Sequence, residues 1–486
     1  MPSFAGPTPD QRHVLFLHYN LFSMTYSVAA ILAFTLHWSV AAAVPPPATS
    51  VKIKGQILHP AGKTVSVQVG KKSVEAPVDA AGRFQLTVPV SAAGAATLET
   101  GQEFTRLWLT PGDDLTLTLD AQRFDETVKY TGTGARVNNY LAAEVLGEEA
   151  LGERAQAALN RPPAGYGAFR DSVQAGQEKK LSAALGTKPT AAETAFLTWK
   201  RRELAYEGAA QRLRYAEQKK VPATDAYYGF MRATDAPLDN PGALTSDAYR
   251  AYVPGALAYY AALDGALASG APLEVAALRQ AGKRLSAPVR EAVVPLLVME
   301  GVMYGSLAAA DSVQRYALAH LTLKPETRTQ LEKAWVARQR TRPGLPAPAL
   351  SAVDAAGKAF DWASVRGKVV YLDFWASWCG PCIGEMPAAQ KLHTALHDRA
   401  ADVVFLNVSV DGNAANWRKG MEKHKVEGQN VHSGGDWQSP ALKAYGVSSI
   451  PRYLVIGPDG LILDGDAPRP SGGAEEAIRA ALAKGK

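Results

Sequence analysis

A chain of 486 residues is longer than one hydrophobic core usually spans, and 47% hydrophobic with 20% charged residues excludes a disordered or fibrous protein, so two or three globular domains are expected. The net charge of +6 is small for this length and comes without a long Lys/Arg block, which argues against a nucleic-acid partner. Cys379 and Cys382 are the whole cysteine complement, so an exported form of the chain owns no structural disulfide and a bridge between them would be reactive.

In chain order, Arg12 and His13 precede an apolar, uncharged run from Val28 to Leu36, then Ala41 to Ala43 and Pro45-Pro46-Pro47. A small-residue site before a helix-breaking triplet reads as a signal peptide over 1–44 cut near Ala43, which implies export to the periplasm or cell envelope. The alternative is an uncleaved anchor that tethers the protein to the membrane, or a buried helix. No cysteine stands near the cut, which excludes lipoprotein attachment.

Residues 45–132 alternate with period two in short segments, for example Leu115, Leu117 and Leu119 against Thr116 and Thr118, with Pro111-Gly112-Asp113 as a turn. This predicts a β-rich amino-terminal domain of the sandwich or barrel kind. Over 133–340 the period becomes helical. Thr190 with Glu193 forms a capping box, after which Phe196, Trp199, Tyr206 and Leu213 share a face. Further helices are expected over 171–185, 246–267, 273–284, 289–308 and 326–339, giving an α-helical middle domain. The stretch 341–349 contains three prolines and a glycine and reads as a linker or an extended lead-in.

The last domain, 350–486, carries the chemistry. Lys368 to Phe374 is a short apolar run suited to a buried central strand, and it delivers the chain into WASWCGPCIGEMP. The cysteines therefore sit where a strand turns into a helix. Free N–H groups and the helix dipole there favour a thiolate on Cys379, which should stay accessible, while Cys382 lies one turn further in. Gly380 and Pro381 keep the two sulfurs within bonding distance. A zinc site has no support, because it needs more ligands than one C-x-x-C supplies and His393 and His397 fall turns away, on the helix surface. No metal and no bound cofactor are expected.

DFWASWCGPC is similar to the thioredoxin active-site segment, and YGVSSIPRYLVIGPDG to the segment that carries the thioredoxin cis-proline. With the Pro-rich entry, the Asp354 to Lys358 turn and Glu385 three residues after Cys382, the domain more narrowly resembles the TlpA-like and ResA-like exported oxidoreductases of the thioredoxin superfamily. The resemblance implies an α/β thioredoxin fold and dithiol-disulfide exchange, with Cys379 attacking and Cys382 resolving. It implies that Asp373 is a buried carboxylate acting through water as the base for Cys382, or else a strand acid satisfied by a hydrogen bond, and that Glu385 is a second acid or simply an acid favoured by the helix start. Pro387 matches the proline that kinks the helix. Ile450-Pro451 is the expected cis peptide, with the Ile450 backbone left free to pair with an extended substrate, and Trp375 and Trp378 are expected to wall the site. Asn407 stands where thioredoxin has a lysine beside its buried acid.

The function so implied is reduction of protein disulfides in the cell envelope, with cytochrome c maturation as one setting and an upstream membrane thiol as electron donor. Three readings stand beside it. The β-rich and helical parts could make the chain a binding or scaffold protein with an accessory redox domain. The redox direction could be that of an oxidant or isomerase. Thiol peroxidases share the fold but carry P-x-x-x-T-x-x-C, whereas Ala376 stands three residues before Cys379.

Overall fold

The structure, a computed structural model, describes residues 50–484 apart from 61, 71, 102, 233–234 and 266–270, so the expected signal segment lies outside the described residues. Two compact units result, one of 50–238 with 242–256 and the other of 239–241 with 257–484, and the helical stretch is shared between them.

In the first unit the alternating segments form β1 (Ser50–Leu58), β2 (Thr64–Val69), β4 (Arg83–Pro89), β5 (Gly94–Thr100), β6 (Glu103–Leu109) and β7 (Asp114–Asp120). Two strands that the pattern did not announce, β3 (Lys72–Pro77) and β8 (Lys129–Gly132), complete two four-stranded sheets of order β4-β1-β7-β8 and β3-β2-β5-β6. Both contribute to one core, Val51, Ile53 and Ile57 from the first sheet and Val65, Val67 and Leu98 from the second. Leu115, Leu117 and Leu119 are buried in that core while Thr118 is exposed, as strand alternation requires.

Three helices follow, Ala135–Ala158, Pro163–Leu185 and Ala191–Gln218. The first is fastened to β6 by Asn138, whose Oδ1 accepts from Trp108 N at 2.9 Å and whose Nδ2 donates to Trp108 O at 3.0 Å. The third opens on the expected capping box, with Thr190 N donating to Glu193 Oε2 at 2.7 Å and Glu193 N to Thr190 Oγ1 at 3.2 Å. Phe196, Tyr206 and Leu213 are buried along it.

The second unit contains helices Leu273–Arg284, Ala287–Tyr304, Leu307–His320 and Pro325–Gln339. The single helix expected over 289–308 is broken at Gly305-Ser306, because Ser306 Oγ accepts from Ala309 N at 3.1 Å and starts a new helix. After it come β9 (Val369–Trp375), β10 (Val403–Ser409), β11 (Gln429–His432), β12 (Arg452–Ile456) and β13 (Ile462–Asp464), in the order β11-β10-β9-β12-β13. β9 runs parallel to β10 and antiparallel to β12, so the sheet is mixed. Every residue of β9 is buried. Val370, Leu372 and Phe374 pack into one apolar cluster and Val369 and Tyr371 into another, the latter shared with Ile478 and Leu482 of helix Ala474–Lys484. This thioredoxin-type arrangement presents the carboxyl end of β9 to the helix Gly380–Ala395.

The Pro-rich lead-in lies along β13. Gly344 N donates to Ile462 O at 2.8 Å, and Ile462 N donates to Leu345 O at 2.8 Å. The preceding helices are also held to the sheet. Arg338, buried, pairs with Asp466 at 3.0 Å and donates to Gly305 O at 2.7 Å, while Asp466 accepts from Leu307 N at 2.6 Å and pairs with Arg452. Ser448, close before the Ile450-Pro451 bond, donates to Met303 O at 3.2 Å.

Candidate functional site

At the end of β9 the chain turns through Ala376-Ser377-Trp378 and enters the helix Gly380–Ala395 with Cys379 at the amino-terminal cap and Pro381 in the first turn. Cys379 and Cys382 are joined by a disulfide, S–S 1.99 Å with Cα atoms 5.3 Å apart. Cys382 N donates to Cys379 Sγ at 3.2 Å. The Cys382 amide in the first helical turn therefore faces the first sulfur, where it and the helix dipole favour negative charge when the bridge opens. Cys379 is more covered than the sequence suggested, with 5% of its surface exposed against 1% for Cys382. Both sulfurs join the apolar cluster of Trp375, Met386 and Ile450, which is why little of Cys379 reaches solvent.

Sequence reasoning missed what holds the turn before Cys379. Asp411, 1% exposed just beyond the end of β10, accepts from Ser377 N at 3.0 Å, Ser377 Oγ at 2.6 Å and Ser409 Oγ at 2.8 Å. The Asp411 backbone carbonyl lies 2.6 Å from His432 Nε2, and the His432 ring stacks on buried Trp417. A carboxylate spent on three donors at the end of the neighbouring strand pins the turn to the sheet. The only local signal was an acid immediately after the apolar run Val403 to Val410.

The two candidate acids lie near one another. Asp373 stands on β9 in register with Asn407 of β10 and Tyr453 of β12. It is buried, and its Oδ1 has no hydrogen-bond partner. Desolvation first, and then the negative charge of Glu385, push its carboxyl up to about 8. Tyr371 and Tyr453, stacked at 5.3 Å beside it, are raised by burial first and by the Asp373 charge second. No cation is among the groups acting on Asp373. Its strand neighbour Asn407 spends its amide on Glu427 O at 2.7 Å and Asn430 Oδ1 at 3.2 Å. Glu385, one turn past Cys382, accepts from Ser471 N at 3.0 Å and Ser471 Oγ at 2.9 Å, with Arg469 at 3.8 Å.

The Ile450-Pro451 bond is cis, and Ile450 is buried against the cysteine cluster. Pro387 lies inside the active-site helix. Of the two tryptophans expected to wall the site, Trp375 is fully buried and serves packing, whereas Trp378 is 38% exposed. Trp378 Nε1 donates to Asp436 Oδ1 at 3.2 Å. His393, expected on the surface, is half-buried because its ring stacks on Phe405 at 3.8 Å; His397 is exposed.

Residues 342–482 match the Redoxin family. Thiol-disulfide oxidoreductase ResA of Bacillus thuringiensis subsp. konkukian (strain 97-27) is 30% identical over 122 residues, which are 25% of this chain and 66% of that protein. ResA of Bacillus subtilis (strain 168) is 29% identical over 120 residues, 25% of this chain and 64% of that protein. The chain thus spans just under two thirds of the length of these relatives. Among solved structures, the thioredoxin domain of a thiol-disulfide oxidoreductase from Bacteroides vulgatus is similar at 25% identity over 29% of this chain and 96% of that one, with a TM-score of 0.26.

Proposed function

We propose, from the premise that residues 342–482 are a thiol-disulfide oxidoreductase domain of the Redoxin family, that the chain reduces protein disulfides through Cys379 and Cys382. The observation that carries this reading is the cysteine pair at the amino terminus of the active-site helix, with Cys382 N directed at Cys379 Sγ. In the dithiol form the Cys379 thiolate attacks one sulfur of a substrate disulfide. That bond breaks, a mixed disulfide forms, and the first substrate thiolate leaves to take up a proton. Cys382, deprotonated by the carboxylate of Asp373 through water, then attacks Cys379 Sγ and releases the second substrate thiol. The substrate gains two electrons and two protons, and the Cys379–Cys382 disulfide is left for an external dithiol to reduce.

The finer reading places the protein in the cell envelope, with the two-sheet amino-terminal region as a sandwich, a membrane thiol protein as the donor dithiol and apocytochrome cysteines among the substrates. A chain whose only cysteines are the reactive pair suits an oxidising compartment. Among the described residues no helix is long and apolar enough to cross a membrane. The test is turnover of a disulfide-linked protein by the full chain with dithiothreitol as donor, together with its potential. Catalysis and a value nearer roughly -270 mV than roughly -120 mV support a reductase; absence of turnover, or a value at the oxidising end, refutes it.

A further inference from the structure

The second exposed tryptophan of the domain, Trp437, has no part in the reaction as described. It is 46% exposed and its ring lies 5.6 Å from that of Trp378, the residue immediately before Cys379. Single exposed apolar side chains are ordinary on a protein surface, but two indoles side by side, one of them adjoining Cys379 in the chain, form an apolar contact surface next to the reactive pair.

The pair is also held in place. Asp436 Oδ1 accepts from Trp378 Nε1 at 3.2 Å and from Gly412 N at 2.8 Å, so one carboxylate oxygen ties the residue before Cys379, the turn after β10 and the Trp437 loop together. A Cβ on Gly412 would stand 2.3 Å from Asp436 Oδ2, so a larger residue there would displace that carboxylate. The loop passes through left-handed backbone at Gly434, Gly435 and Asp436, with φ of 67°, 82° and 45°, and closes with Gln438 N donating to Gly435 O at 2.8 Å. Asp436 thus holds the Trp378 indole, and the turn in which it stands sets Trp437 beside that ring, an arrangement of partial preorganisation.

We infer that Trp437, positioned by Asp436 against Trp378, is a specificity-determining residue that receives an aromatic or large apolar side chain lying next to the disulfide-bonded cysteine of an extended substrate peptide. The inference rests on the disulfide-exchange reading and names its substrate class. A substrate sulfur that reaches Cys379 brings its own neighbouring residue over Trp378, because Trp378 adjoins Cys379 in the chain. The indole faces offer that residue dispersion and edge-to-face contact. Asp436 Oδ1 is spent on two donors, but the carboxylate keeps its charge at the surface, so an Arg peptide separates an apolar contact from attraction to that charge.

The test uses the full chain and three disulfide-linked peptides that differ only in the residue before the reacting cysteine, Phe, Ser or Arg, with hydroxyethyl disulfide as a fourth substrate. The Phe peptide is expected to exceed the Ser peptide by about tenfold in kcat/KM, chiefly through KM. Trp437→Ala should bring the Phe-to-Ser ratio close to one, and Trp437→Phe should restore most of it. A ratio that survives in Trp437→Ala, or an Arg peptide preferred over Phe, overturns the assignment while leaving the exchange reading intact. Failure to reduce any of the four substrates, hydroxyethyl disulfide included, overturns the exchange reading itself.

Discussion

Replacing Asp373 by Asn removes the one buried carboxyl on β9, and its effect can be worked out with sign. The folded-state value is about 8 against an ordinary 3.8, so between those limits the folded protein holds a proton that the unfolded chain has released. Stability from this group is complete below about pH 3.8, falls as the pH rises and levels off above about 8. The slope is about 1.4 kcal/mol per pH unit, which gives a loss on the order of 4 kcal/mol between pH 5 and pH 8. An asparagine has no such slope; its buried amide adds a cost of about 1–3 kcal/mol that does not depend on pH. Asp373→Asn should therefore be neutral or destabilising at pH 5 and stabilising by several kcal/mol at pH 9. The assay is urea denaturation of the oxidised full chain, read by pulse proteolysis and mass spectrometry so that peptides of β9 and β12 report this sheet alone. In turnover, release of the mixed disulfide should accelerate through about pH 8 in the wild type, as the carboxylate forms, and the variant should lack that step. A stability difference that is the same at pH 5 and pH 9 would refute the reasoning.

Three further outcomes follow from the same geometry. Glu385→Gln removes the charge that assists burial in raising Asp373, so the Asp373 carboxyl should titrate lower, as read by carbon NMR; an unmoved titration would leave burial as the sole cause. Asp411→Ala strands Ser377 N, Ser377 Oγ and Ser409 Oγ and should cost about 3 kcal/mol while slowing alkylation of Cys379 in the reduced protein; unchanged stability and alkylation would show that the clamp does not govern the turn. A fragment from Leu345 onward loses the three helices between Ala287 and Gln339 with their contacts through Arg338, Leu307 N and Met303 O, so it should fold but be less stable by about 3 kcal/mol than a fragment from Ala287; equal denaturation midpoints would contradict this.

What the sequence revealed was what local chemistry dictates. The alternation of Leu115, Leu117 and Leu119 predicted a buried strand face, Thr190 and Glu193 predicted a helix start, and the apolar run through Phe374 into Cys379 placed the cysteines at a strand-to-helix turn. Helix Ala135–Ala158 escaped because Gly134 caps it without a side-chain bond, and its alanine-rich face gives little periodic contrast. Helix Leu307–His320 escaped as well: the expected helix runs through Gly305-Ser306, which does not interrupt the apolar pattern, and stops at 308, with none expected over 309–320. At the site, the missed features all join residues far apart in the chain. Ser377 meets Asp411 34 positions on, Trp378 meets Asp436 58 positions on, and Arg338 meets Asp466 128 positions on. No local period or cap encodes such pairs; they exist only once β10 lies beside β9 and the helices close on β13.

The central claim is that Cys379 attacks and Cys382 releases, because the helix start stabilises the first sulfur and covers the second more fully. The most direct test incubates reduced full-length Cys382→Ser and Cys379→Ser proteins with a disulfide-bonded protein substrate and resolves the products on non-reducing gels. The account predicts that Cys382→Ser accumulates a substrate-linked band that vanishes with reductant, and that Cys379→Ser forms neither band nor product. Accumulation of the adduct by Cys379→Ser and its absence from Cys382→Ser would contradict it.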